Sequence, residues 1–251
     1  MAYQIVTIAP PTPNGDLHLG HIAGPYQAAD VYTRTQRLLG NHVVLLCYSD
    51  DYQSYLARKA RELGVERFAL ARENGNKISE TLKRMDIALD WFHQTGHNEH
   101  FRRSVALFYR AAREGGVIYG KREDIPYFPA FDVWGYEAFG RGTCTHCSTP
   151  SDASQCEHCA YPPTLAAMRD IRCTLGESAV EWRPIEREFL RLNDFRGYLR
   201  TLYNGKPLRP YLREYIEQSL ALPDLDWAIT RPYEYGIDLD EPGRPNVHTW
   251  F

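Results

Sequence analysis

The apolar positions along the chain fall into two textures. Up to about residue 116, short β-leaning runs alternate with helical periods. Tyr3–Ala9 reads as a first strand. Leu19–Leu39 reads as a long helix, stopped by Gly40-Asn41. The run from Asn41 to Cys47 contains Val43-Val44-Leu45-Leu46, a pattern expected of a parallel strand buried on both faces. Arg58–Leu70 and Gly75–Met85 read as helices, Asp90–Thr95 as a third strand, and Phe101–Glu114 as an amphipathic helix closed by Gly115-Gly116. From Val117 the helical period disappears. Tyr127, Phe128, Phe131, Trp134, Tyr136 and Phe139 stand among prolines and glycines, the texture of a compact β-rich insertion. Beyond it, Glu188–Leu192 alternates like a strand, Asp194–Tyr203 and Arg209–Leu220 are helical, and Asp238–Pro245 is an acidic loop. Asn246–Phe251 begins another strand.

A strand–helix–strand order predicts a right-handed crossover and puts both strand C-termini at one edge. Ligands of open α/β sheets bind at that edge. Two segments with chemical potential map there. The first, between strand and helix, is Pro10-Pro11-Thr12-Pro13-Asn14-Gly15-Asp16-Leu17-His18-Leu19-Gly20-His21. Its prolines and Asn-Gly pair forbid regular structure. Asp16 is the expected N-cap, and His18 and His21, three apart, share one helix face. A helix N-terminus suits phosphate, and Gly20 leaves room for a flat ligand. The second segment, Ser49-Asp50-Asp51, ends the second strand and reads equally as a helix cap or a ligand site.

The cysteines add a third site. Cys144-x-x-Cys147 and Cys156-x-x-Cys159 are separated by eight residues. That spacing favours a closed, structural Zn²⁺ site over a disulfide or a redox motif. Cys47 and Cys173 read as small buried residues. His93, His97 and His100 read as surface or capping residues. At 251 residues and net charge −3 the chain has a sizeable core and no global nucleic-acid footprint. Its basic residues are 24 Arg and 5 Lys. It shows no signal peptide, no membrane span and no internal repeat.

The frame Pro11-x-x-Asn14-Gly15-x-x-His18-x-Gly20-His21, followed by Ala23-Gly24-Pro25-Tyr26 and Ala29-Asp30, resembles the signature of class I aminoacyl-tRNA synthetases, in particular the methionyl branch. The resemblance extends to Cys47-Tyr48-Ser49-Asp50-Asp51, to the approach Phe139–Cys144, and to Asp226–Arg231. It implies the first half of a Rossmann-like, HUP-type parallel sheet with a small zinc-binding β-rich insertion. The three parts would be the first half of the nucleotide-binding domain at residues 1–116, an insertion over 117–245 with its knuckle at 144–159 and helices, and the start of a returning strand at 246–251.

The resemblance further implies ATP with Mg²⁺, and formation of an aminoacyl-adenylate. His18 and His21 would stabilise the phosphates, with Asn14, Gly15 and Gly20 at ATP. Asp50 would hold the amino acid's ammonium, and Pro10, Thr12 and Trp250 would line its side-chain pocket. The family usually has leucine at Pro10, tyrosine at Thr12, and His-Gly at Tyr52-Gln53, so the amino acid is left open. The resemblance covers only the first part of a synthetase, and no Lys-x-Ser-Lys sequence is present, so a longer polypeptide is expected. The implied partners are an amino acid and tRNA, in the cytoplasm. Two alternatives stand beside this reading. One is a paralogue that passes a different amino acid to a small-molecule acceptor, as hydrazine-forming synthetases do. The other is an inactive zinc-stabilised module that binds RNA or protein.

Overall fold

The structure, a computed structural model, describes residues 2–231 and 236–239 together with the backbone of His248 and Thr249. The chain divides into two compact units, Met1–Phe101 and Arg102–Phe251.

The first unit is α/β. Strands β1 (Tyr3–Thr7), β2 (His42–Ser49) and β3 (Trp91–Gln94) form a parallel sheet in the order β1-β2-β3. Helix α1 (Leu19–His21) runs through a π-helical turn, Ile22–Tyr26, into α2 (Gln27–Leu38). The wider turn accommodates Pro25, which lacks the N–H that an α-helix interior needs. Gly40, at φ +82°, ends the run.

The next two helices differ from the sequence pattern. They are α3 (Ser54–Leu63) and α4 (Arg67–Arg84). Gly64 adopts a left-handed conformation, φ 65°, and terminates α3. Glu66 then caps α4 by accepting from the N–H groups of Phe68 (2.8 Å) and Ala69 (2.6 Å). Apolar periodicity ran across this break because Leu56, Ala60, Leu70 and Ala71 form one buried cluster on both helices.

The main core joins Ile8, Ile22, Tyr26, Leu45, Cys47, Ile78, Leu82 and Ile87. The sequence pattern led us to expect β2 buried on both faces; it is buried on one. Val43, Leu45, Cys47, Ser49 and Asp51 point inward, whereas Val44 and Tyr48 are exposed. On the same open side Tyr3, Ile5 and Trp91 are also exposed, because helices cover only the other face of these strands among the described residues.

Helix α5 (Glu99–Glu114) contains the division between the units. Tyr109, fully buried, donates to Glu188 and ties the helix to the second unit. That unit is built on a long antiparallel ribbon, β4 (Ile118–Phe128) against β9 (Glu181–Leu190), extended by β5 (Val133–Trp134) and β10 (Trp227–Ala228). The small strands β6 (Gly140–Thr143), β7 (Pro150–Asp152) and β8 (Arg169–Cys173) form a separate sheet around the cysteines. Helices α6 (Arg196–Tyr203) and α7 (Pro210–Leu220) follow β9. Finally β11 (Thr230–Arg231) and β12 (Ile237–Asp238) flank β13 (His248–Thr249), with both pairings antiparallel. Of the segment 246–251, expected to begin a returning strand of the nucleotide sheet, only this backbone pair is described.

Among the described residues no helix is long and apolar enough to cross a membrane.

Leu45 is fully buried on the central strand. We expect Leu45→Ala to lower stability by about 2–5 kcal/mol, read as a reduced urea midpoint at unchanged slope.

Candidate nucleotide and amino-acid site, and the cysteine knuckle

The β1–α1 loop is fixed by backbone contacts before any side chain acts. The Asp50 N–H donates to Pro11 O (3.0 Å), which joins the loop to the end of β2. Asn74 on α4 donates to Pro13 O (3.0 Å). Asp16 is not the N-cap that the sequence suggested. It accepts from the hydroxyl of Thr81 (2.8 Å), and it also takes the N–H of Leu17 (2.7 Å).

His18 takes the capping role instead. Its Nδ1 accepts from the N–H groups of Gly20 (3.1 Å) and His21 (3.3 Å). His21 Nδ1 reaches back to the N–H of His18 (3.4 Å), which completes a capping box made of two histidines. The rings stack, with centroids 3.7 Å apart. Gly20 lies close under this cap: a Cβ there would meet the His18 ring at 3.1 Å, and the ring would have to shift to admit it. The space that the sequence assigned to a flat ligand over Gly20 is therefore taken on that side by His18.

The cap has a chemical consequence. A nitrogen that accepts a backbone N–H carries no proton, so each neutral ring holds its proton on Nε2. Two N–H donors are thus set at the start of a helix whose dipole already favours an anion. Burial, and then the charge of His18, lower the pKa of His21 below its usual 6.5. Asn14 and Gly15 lie on the same loop, Asn14 exposed and Gly15 half-buried.

The two carboxylates at the end of β2 separate by side of the strand. Asp50 is half-buried and accepts from the side-chain amide of Gln53 (2.6 Å). Asp51 continues the buried face, 1% exposed. One of its oxygens takes the Gly96 N–H, and the other has no hydrogen-bond partner. Burial raises its pKa. Thr95 completes the join of β2 and β3, donating to Ser49 O (2.8 Å). Pro10 and Thr12 are half-buried on the loop held against Asp50. Trp250 lies outside the described residues. The sequence reading noted Gln53 only as a departure from the family pattern and gave it no role. A signal for Asp51 was present, since strict alternation from Val43 carries the inward face to that residue.

In the second unit the four cysteines converge, with their Sγ atoms all within 4.8 Å of one another. Cys144 and Cys159 are 3.8 Å apart, Cys147 and Cys156 3.6 Å. Four sulfurs at about 2.3 Å from one Zn²⁺ would form a tetrahedron with edges of about 3.8 Å, so the residues fit that ion. The two halves of the site are near copies. Cys144-Thr-His-Cys147-Ser148 and Cys156-Glu-His-Cys159-Ala160 each turn through a left-handed residue, Ser148 at φ 58° and Ala160 at φ 63°. In each, that residue's N–H returns to the first cysteine's carbonyl, at 3.1 and 2.8 Å. The sequence shows no repeat here beyond the cysteine spacing, because the duplication is only five residues long. Burial pushes the Cys159 thiol up to about 12, while backbone N–H groups outweigh burial at Cys156 and bring it down to about 5. A cation among them would favour the thiolate form of all four.

A parallel sheet with a histidine-capped helix at its ligand edge, joined to a four-cysteine insertion, defines an α/β protein of the nucleotide-binding type with an insertion whose cysteines could hold a metal ion. Residues 4–251 match the family model of class I tRNA synthetases of the M group, and the chain belongs to that family. It is 30% identical over 252 residues to a methionine–tRNA ligase of Chlamydia muridarum, covering 98% of this chain and 45% of the relative. It is 28% identical over 262 residues to that of Pyrococcus furiosus, covering all of this chain and 35% of the relative. The chain therefore spans less than half the length of these curated relatives. In fold it matches the Mycobacterium tuberculosis methionyl-tRNA synthetase solved in complex with methionyl-adenylate, with a TM-score of 0.71 at 21% identity. That match covers 99% of this chain and 44% of the solved one.

Two outcomes follow from this geometry. Purified protein should carry one Zn²⁺ per chain by elemental analysis, and Cys156→Ser should lose it together with amide-exchange protection of β6 to β8. By NMR, His21 should titrate below 6.5, and His18→Ala should move its midpoint upward by removing the neighbouring charge.

Proposed function

We propose that the chain supplies the ATP- and amino-acid-binding part of an enzyme that activates an amino acid as its adenylate. The observation that carries this reading is the mutual histidine cap, which presents two Nε2–H donors at a helix N-terminus. In the reaction the amino-acid carboxylate attacks the α-phosphorus of ATP, the bond to the β-phosphate oxygen breaks, and pyrophosphate leaves. Negative charge grows on the phosphoryl oxygens. His18 and His21 stabilise it, and they do so without reorganising because their rings are already held by the backbone. Asn14, Gly15 and Gly20 line the ATP approach, with Mg²⁺ accompanying the triphosphate.

Asp50 receives the α-ammonium, a charge-assisted contact that also orients the carboxylate for attack. Pro10, Thr12 and Trp250 shape the side-chain pocket. The zinc held by Cys144, Cys147, Cys156 and Cys159 has four protein ligands, which leaves no open position, so its role is structural. Methionine is the first amino acid to test, because the relatives are methionine–tRNA ligases. The acceptor is tRNA and the place of action the cytoplasm, as suits a ligase that serves translation.

Amino-acid-dependent ATP–pyrophosphate exchange, run on the longest form of the polypeptide, tests the reading. His18→Asn retains a good N-cap side chain but removes the Nε2–H donor. We expect it to keep the melting temperature while lowering kcat about 10²–10³-fold. An equal loss of stability and rate would assign His18 to capping alone.

A further inference from the structure

Gln53 stands at the N-cap of α3, with φ −77° and ψ 141°. A side chain there usually bonds to the free N–H groups of the first helical turn. That of Gln53 makes no such bond. Instead its amide reaches back three residues and donates to Asp50 Oδ2 at 2.6 Å. Serine, threonine or aspartate would cap the helix at this position. The longer glutamine bypasses the cap and grips the carboxylate.

We propose that Gln53 is a positioning residue for the ammonium seat. This rests on the reading of Asp50 as the group that binds the amino acid's α-ammonium. Asp50 is already fixed at its backbone by its N–H on Pro11 O (3.0 Å). The Gln53 amide, bonded to one named oxygen, restrains rotation of the carboxylate plane. The ammonium then meets a carboxylate of one orientation. That is worth affinity, because the cost of ordering the side chain is met before binding. The amide is neutral, so it fixes Asp50 without cancelling the charge that the ammonium needs. It acts on the amino acid and has no part in ATP binding.

Four variants in the exchange assay test this. Gln53→Ala should raise the amino-acid KM about tenfold, with the ATP KM unchanged and kcat within about threefold, since roughly 1.4 kcal/mol corresponds to each factor of ten. Asp50→Asn should raise the same KM more strongly. In the double variant the effect of Gln53→Ala should vanish, because its only proposed route is the Asp50 carboxylate. Gln53→Glu puts a second carboxyl against the first, so the acid limb of the amino-acid kcat/KM profile should move to higher pH.

An unchanged amino-acid KM in Gln53→Ala, with Asp50→Asn impaired, overturns the role of Gln53 alone. An unchanged KM in Asp50→Asn overturns the ammonium seat, and this proposal with it. A parent protein silent with every amino acid does the same. Equal loss in the single and double backgrounds would place Gln53 in the support of α3, against the proposal. Melting temperatures of all four variants separate folding defects from these outcomes.

Discussion

The parallel pairing of β1 with β2 is the constraint on which the site depends. Five successive pairs, Tyr3 with His42 through Thr7 with Leu46, bring the ends of both strands to one edge. Two chemically different segments, one rich in proline and histidine and one acidic, become neighbours only for that reason. The pairing also decides which carboxylate does what. A slip of one residue in β2 would exchange the faces of Asp50 and Asp51, and so bury the carboxylate that the loop now holds at the edge.

The two units are held together by different means. The first relies on an apolar core between sheet and helices. The second relies on a ten-residue pairing of β4 with β9 and on charges buried beside it. Arg187, 3% exposed, donates to Glu123 (3.0 Å) and to the Tyr136 hydroxyl (3.0 Å). Arg231 pairs with Glu137, and both are buried. Such pairs seldom add net stability over apolar packing, but removing one partner leaves an uncompensated charge. They link residues far apart in sequence and specify which strand ends meet. At the knuckle the four cysteines bring two short turns together, and a Zn²⁺ held by them would do the same work there.

Much of the architecture was legible in the sequence because period and punctuation agree with it. The strands near residues 3–9, 41–47 and 90–95 were placed to within two residues of their observed ends. The cysteine spacing announced its own cluster. What stayed hidden was set by choices between competing hydrogen bonds. Asp16 has better intrinsic capping chemistry than His18, yet Thr81 draws it to α4, and the imidazole takes the helix. Gln53 looks like a filler residue until the three-dimensional position of Asp50 is known. The break at Gly64 was masked because the apolar rows of α3 and α4 serve one cluster. The buried pairs Arg187–Glu123 and Arg231–Glu137 join positions that no local pattern relates.

The π-helical turn at Ile22–Tyr26 acts as a phase adjuster. Tyr26, 1% exposed and in contact with Cys47 Sγ at 3.6 Å, anchors its far end in the core. His18 and His21 stand at its near end. The wider turn absorbs one extra residue, because its hydrogen bonds span five residues where those of an α-helix span four. Losing that residue would restore the α-helix and leave both imidazoles close to their present face. The turn can therefore give up a residue more readily than the α-helix that follows it, where each deletion rotates everything before it by about 100°.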